Sequence, residues 1–366
     1  IHRTPGAGSG TWADSATHSC GTQIVNEPYI SAKRSNYISF GDFIIGKGAL
    51  PLYYQPPVTR ELVNKHARIR VSANNMLYVI GSGAKLLNLD TAKITLTGST
   101  VLNVLGDILN DSSKIIQTTG TITCDTLFNY DNGLISQTTG TINIGGHLRN
   151  DTNSTVVQTT GTINVFQSIF NSDTSIIQSE GIINLTKDFN QYTGAQLRID
   201  GTMNIQGNWN NNSRDSVRLS TTPAVLSTVV FNGSVNQTIG GVSETKFENV
   251  NINNSAGVTL ARNTHLNTQL TFTNGILKTN SYIIIVNNTA TNAIVGYDSS
   301  KYINGNLRRY VTNAIYDLPV GTDEYYELGN IEILSNSGLT YIDVRFVKSV
   351  QVPPPFLTVS GKKVSE

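Results

Sequence analysis

The phrase Gln-Thr-Thr-Gly-Thr-Ile occurs three times, at Gln117–Ile122, Gln137–Ile142 and Gln158–Ile163, and a decayed copy, Gln-Ser-Glu-Gly-Ile-Ile, fills Gln178–Ile183. Self-similarity at a short fixed period is the signature of a stacked array, and it constrains the fold more than any other feature of the chain. The repeat glycines Gly98, Gly120, Gly140, Gly161, Gly181 and Gly201 are spaced by 22, 20, 21, 20 and 20 residues. That period is too short for two packed helices, and it lacks the i, i+3, i+4 apolar pattern of a helix face.

Within each copy the apolar residues alternate instead. Ile122, Ile142, Ile163, Ile183 and Met203 align after the glycine, and Cys124, Ile144, Val165, Leu185 and Ile205 follow two residues later. A spacing of two places both columns on one face of a strand. Leu127, Leu148, Ile169, Phe189 and Trp209 form a third column, and Ile115–Ile116, Val156–Val157 and Ile176–Ile177 form a fourth patch before the next glycine. Each copy therefore reads as three short strands joined by turns, and its apolar face is buried only when copies stack. The fold class expected is all-β, a right-handed parallel β-helix of about 20–21 residues per coil. Left-handed hexapeptide helices run nearer roughly 18 residues, three hexapeptides to a turn. Asn110, Asn129, Asn150 and Asn171 each follow an apolar residue by two and read as a structural ladder at a turn. Stacked Asn side chains bond along the axis, and Asn tolerates the left-handed conformation that a tight corner needs.

Three regions follow. Residues 1–72 lack the repeat and hold five of the ten prolines, as expected of an N-terminal cap over the first coil. Residues 73–292 are the β-helix, with irregular coils after Gly201. Residues 293–366 alternate like a meander and read as a β-sandwich-like module ending in Pro353, Pro354 and Pro355.

Composition narrows the function. Charged residues make up 14% of the chain and the net charge is +1, which argues against nucleic-acid binding, since that needs a basic footprint. The densest basic stretch, Arg60, Lys65, His66, Arg68 and Arg70, is interrupted by Glu61 and reads as a solvated face. No run approaches the apolar length of a membrane helix, so no transmembrane segment is expected. Cys20 and Cys124 are too few for a disulfide framework, and Cys124 falls at an inward position as a small hydrophobe. The chain opens at Ile1 without a basic-then-apolar leader, as expected of a processed terminus.

Tyr302-Ile-Asn-Gly-Asn-Leu-Arg-Arg-Tyr310, followed by Tyr316-Asp-Leu-Pro-Val-Gly321, resembles a module of large surface proteins of Bacteroidota that links a β-solenoid to a sandwich. Asn236-Gln-Thr-Ile-Gly-Gly241 and Thr273-Asn-Gly-Ile-Leu277 are similar to phrases in the same proteins, so the resemblance covers roughly residues 225–350. It implies export by the type IX secretion machinery and an extracellular or cell-surface location, although the family's C-terminal sorting domain is not visible here. It also implies O-glycan acceptors of the form Asp-Ser/Thr-apolar, matched at Ser15, Thr91, Thr126 and Ser216.

The candidate chemistry lies beside the asparagine column. Asp111, Asp131, Asp151 and Asp173 fall one or two residues after it and are expected to line one edge. Paired carboxylates there would serve glycoside cleavage, which needs an acid and a base about 5–9.5 Å apart, or would bridge Ca2+. Solvated turns explain Asp after Asn equally well. No aromatic or arginine cluster is evident around them, and the five histidines have no metal-ligand spacing. His147 is expected to be exposed. Thr119-Gly-Thr121, Thr139-Gly-Thr141 and Thr160-Gly-Thr162 form an array that would match ice if it lay flat on a sheet, with Glu180-Gly-Ile182 breaking it. The reading is a non-enzymatic structural or adhesive surface rod without a cofactor, whose partners are the secretion machinery and surface glycans or other surface proteins. A polysaccharide-binding or -degrading β-helix is the alternative, and ice binding a minor one.

Overall fold

The computed structural model describes residues 61–347, apart from 67, 73–74, 81–83, 214–226 and 335–337, together with backbone segments at 22–24, 29–30, 37–39, 42–45, 52–54, 358–359 and 362–363. The chain is a parallel β-solenoid of about 11 turns. Each regular coil has three strands. In one coil they are Thr121–Cys124 on a first face, Leu127–Tyr130 on a second and Leu134–Gln137 on a third. Each pairs in parallel with its counterpart one coil on: Thr121 with Thr141, Leu127 with Leu148, and Leu134 with Thr155.

The inward columns follow the alternation of the sequence. Ile122, Ile142, Ile163, Ile183 and Met203 are all buried, as are the columns that begin at Cys124 and Leu127. On the third face Ile115, Ile135, Val156, Ile177 and Leu197 point inward. One coil, residues 141–160, buries four aliphatic side chains, Ile142, Ile144, Leu148 and Val156. Each contributes roughly 1.5–3 kcal/mol. Ordering about twenty residues costs about 1–2 kcal/mol each, so a lone coil does not fold and stacking is obligatory.

The corners differ in kind. Between the third and first faces sits the repeat glycine: Gly140 has φ +86° and an added Cβ would lie 2.3 Å from the Gly120 carbonyl oxygen. Between the second and third faces sit pairs of left-handed residues, Asp131–Asn132, Thr152–Asn153 and Asp173–Thr174. The asparagine column was expected to supply this conformation; instead it lies one step earlier, inside the strands and fully buried. The Thr-Gly-Thr array likewise wraps the glycine corner rather than running along a strand, so it presents no flat face of the kind expected for ice matching.

The strand ladders run past both expected boundaries. Thr22–Ile24 pairs with Asp42–Ile45, and that strand with Arg68–Val71, so part of residues 1–72 already stacks in the same ladders. Backbone pairing needs no repeat phrase, which is why these coils carry no sequence signal. At the other end, Ile303–Tyr310 still pairs in parallel with Leu277–Val286. Only then does the chain turn antiparallel, with Ile315–Gly321 against Tyr326–Glu332 and Ile303–Tyr310 against Tyr341–Val344. The antiparallel meander therefore grows out of the last coil in the same sheet. The prolines Pro353–Pro355 lie outside the described residues.

The Leu-Arg-Arg motif has a physical role there. Arg308 faces outward and grips Asp343 with two bonds of 2.7 Å, while Arg309 is buried and donates to the carbonyl oxygens of Asn288 and Ala290.

Candidate functional site

Two kinds of side-chain ladder fix the coils. Inside, Asn64, Asn88, Asn110, Asn129, Asn150 and Asn171 each donate from Nδ2 to the next amide oxygen, at 2.7–3.0 Å, and the chain of bonds ends on Gln191. The same Nδ2 groups reach backbone carbonyls, as Asn129 does at Gly133 and Thr155. Every interior member is thus satisfied, and among the described residues the ladder has a loose end at Asn64 Oδ1. A second, outward ladder was missed in the sequence: Asn204, Asn184, Asn164 and Asn143 bond in succession at 2.8 Å on the first face. Its signal was the residue after the inward isoleucine or methionine.

The candidate site lies on the second face, where the outward residues form two columns. In the first, Leu109, Phe128, Arg149, Phe170, Asn190 and Asn210 stand in register. In the second, Asp111 pairs with Tyr130, and the same position is filled in later coils by Asp151, Ser172 and Tyr192. Tyr130, Arg149, Asn150, Asp151, Phe170, Ser172 and Tyr192 line a depression of about 320 Å3. The Arg149 guanidinium lies 4.8 Å from the Phe170 ring centre, and His147 meets the same ring edge-on at 5.3 Å. His147 was expected to be exposed. It is partly buried, and its Nδ1 accepts from the Ser168 N–H at 3.1 Å. Burial pushes the Tyr130 phenol above its ordinary value; Arg149 pulls the other way and Asp151 adds to the rise.

The four aspartates occupy two adjacent positions along the second-to-third corner. Asp111 and Asp151 end outward positions of second-face strands, two coils apart with Tyr130 between them. Asp131 and Asp173 sit one residue later, in left-handed turns, exposed. The asparagines stay in register from coil to coil, so offsets of one and two residues put these carboxylates in two adjacent positions. Asp111 accepts from the Ser112 hydroxyl and Asp151 from the Thr152 N–H. Among the described residues no group of three or more His, Cys, Asp or Glu side chains is placed to hold a metal ion.

The expected aromatic gap is also corrected. Tyr130, Phe170, Tyr192 and Arg149 surround Asp151, a cluster hidden in the sequence because its members are some twenty residues apart. Asp151 is the only carboxylate in this depression, whereas acid–base glycoside cleavage uses two.

Of the glycan-acceptor matches, Thr91 is exposed at a left-handed turn. Thr126 is buried and its hydroxyl accepts from the His147 N–H, so it offers no accessible acceptor. Ser15 and Ser216 lie outside the described residues. Cys124 is a free thiol in the core, pushed far up by burial with Asp107 and Asp125 adding to the rise, and is chemically quiet at neutral pH. Cys20 lies outside the described residues.

Two further depressions, of about 660 and 440 Å3, lie toward the C-terminal meander. The first has no charged lining residue, and the second has only Asp317, already engaged by Tyr297 and Asn330. No helix among the described residues is long and apolar enough to cross a membrane. No family model, no curated protein and no solved structure matches the chain.

Proposed function

We propose that this chain is a non-enzymatic structural and adhesive rod, exported to the exterior of a Bacteroidota-like cell by the type IX route. The observation that carries the reading is the unbroken coil-to-coil pairing reinforced by the buried amide ladder. Such a ladder locks the register of successive coils and makes a stiff spacer. A neutral coat of Thr, Asn and Ser, and the resemblance across residues 225–350, support display outside the cell.

The second-face depression favours polysaccharide binding over degradation within this reading, since aromatic rings and a guanidinium gather there around one carboxylate. Surface proteolysis and antibody labelling of intact cells test display; protection of the chain inside the cell would overturn it. Incubation with plant, algal and microbial polysaccharides tests the rest. The expected result is no new chain ends. Cleavage that is lost in Asp151→Asn would replace the adhesive reading with an enzymatic one.

A further inference from the structure

We propose that the second-face depression is a subsite for a neutral hexopyranose unit of a polysaccharide, with Tyr130 and Tyr192 offering ring faces and Arg149 and Asp151 bonding hydroxyls. This rests on the reading of the chain as a glycan-binding rod and names the ligand chemistry of that site.

A pyranose has an apolar face of C–H groups and a rim of hydroxyls, so it needs an aromatic platform beside fixed donors and acceptors. The depression supplies both. Its aromatic residues stand on the coils on either side of the coil that carries Arg149 and Asp151. With coils about 4.8 Å apart, Tyr130 and Tyr192 are roughly 14 Å apart along the axis, so the stripe suits a chain segment better than a single free sugar. A volume of about 320 Å3 holds one or two rings directly. It lies at the small end of ligand pockets, which run about 300–1,000 Å3. Tyr192 is 38% exposed, which leaves its ring open to a ligand that continues across the surface.

The polar groups are preorganised. Arg149 is pinned over Phe170, Phe170 is buttressed by His147, and His147 is fixed by the Ser168 N–H. Arg149 joins none of the ion pairs found among the described residues and shares one side-chain hydrogen bond with the Tyr130 phenol, so the rest of its five-donor fork is available to a ligand. Asp151 uses Oδ1 on the Thr152 N–H, leaving Oδ2 to accept from a hydroxyl. The two opposite charges select for neutrality. A uronate that paired with Arg149 would meet Asp151, and an amino sugar cation that paired with Asp151 would meet Arg149. Neutral hydroxyls bond both.

The test titrates the full chain with soluble neutral oligosaccharides (cello-, xylo-, manno- and laminari-oligomers) and with oligogalacturonate, followed by NMR and calorimetry. Expected is binding of at least one neutral series in preference to oligogalacturonate. Tyr192→Ala and Arg149→Ala should each weaken it by about tenfold or more, as removal of a central contact does. Lys246→Ala, at an exposed position of a distant coil, should leave it unchanged. Asp151→Asn should weaken neutral binding and raise affinity for oligogalacturonate. Both outward variants should keep the wild-type melting curve, which separates a lost contact from a lost fold. A preference for oligogalacturonate, or no neutral binding at millimolar ligand, would overturn the proposal. Neutral binding that survives Tyr192→Ala and Arg149→Ala would overturn this site while leaving the glycan-binding rod intact.

Discussion

The coils at residues 85–212 and those at 228–310 bury the same kind of inward residues, yet they turn their corners differently. In the first region a glycine with its neighbours makes each third-to-first corner, and strands stay three to five residues long. In the second, Thr245–Asn253 and Thr264–Asn274 run straight through that corner as single bent strands. A bulge replaces the glycine: Glu248 stands opposite Asn267 and Thr268, and its carboxylate accepts from both. A bulge bends a strand without a left-handed residue, so no glycine is needed and the repeat phrase disappears. The lesson is that inward periodicity is what stacking requires, while the corner phrase is one solution among several. Between the regions Trp209 packs on Phe189 at 4.6 Å and on Phe247 at 4.9 Å, and its indole N–H donates to the Thr245 hydroxyl. It joins the last regular coil to the first bulged one.

That joint gives the largest expected effect. Trp209→Ala removes a fully buried ring and should cost about 3–5 kcal/mol. It should also split one cooperative melt into two, seen by calorimetry; a single transition with a small shift would show that the regions are not coupled through this residue. Next is the corner itself. Gly140→Ala should cost on the order of 3 kcal/mol, because the added Cβ meets fixed backbone at a left-handed position. Glu248→Ala at the bulged corner should cost under about 1 kcal/mol in urea unfolding, since it removes only half-exposed hydrogen bonds. Equal losses would erase the distinction between the corners.

Asn129→Ala should cost about 2 kcal/mol, because it removes two buried ladder bonds, the one Asn110 Nδ2 gives and the one Asn150 Oδ1 receives. The outward Asn164→Ala, whose neighbours turn to water, should cost well under about 1 kcal/mol. The smallest effect is at the C-terminal meander. The Arg308 guanidinium holds the Asp343 carboxyl below its ordinary value. A depressed folded value means that the pair stabilises above the unfolded value, about 3.9, and is lost as pH falls through the folded one. Hydrogen exchange should show Tyr341–Val344 opening below about pH 4 before the coils do, and Asp343→Asn should abolish that pH dependence.

What was legible followed from period-two alternation. The sequence placed Ile122, Cys124 and Leu127 inward, found the asparagine ladder and put the glycines at corners. It did not see the early coils, whose pairing depends on backbone alone, nor the continuation of the ladder into Ile303–Tyr310. It placed the asparagines in the turn because it could not tell the last inward strand residue from the first turn residue.

The amino-acid order by itself determined which residues face in and which face out, because alternation along a strand is a local property. Only the tertiary structure decided which outward residues become neighbours. That depends on register between coils, which the aligned asparagines hold constant from Asn110 to Asn171. Asp131, two residues after Asn129, therefore falls outside the column that Asp111 and Asp151 share, and Tyr130 holds that place beside Arg149. The core is written in single strands, whereas the candidate site is assembled across four of them.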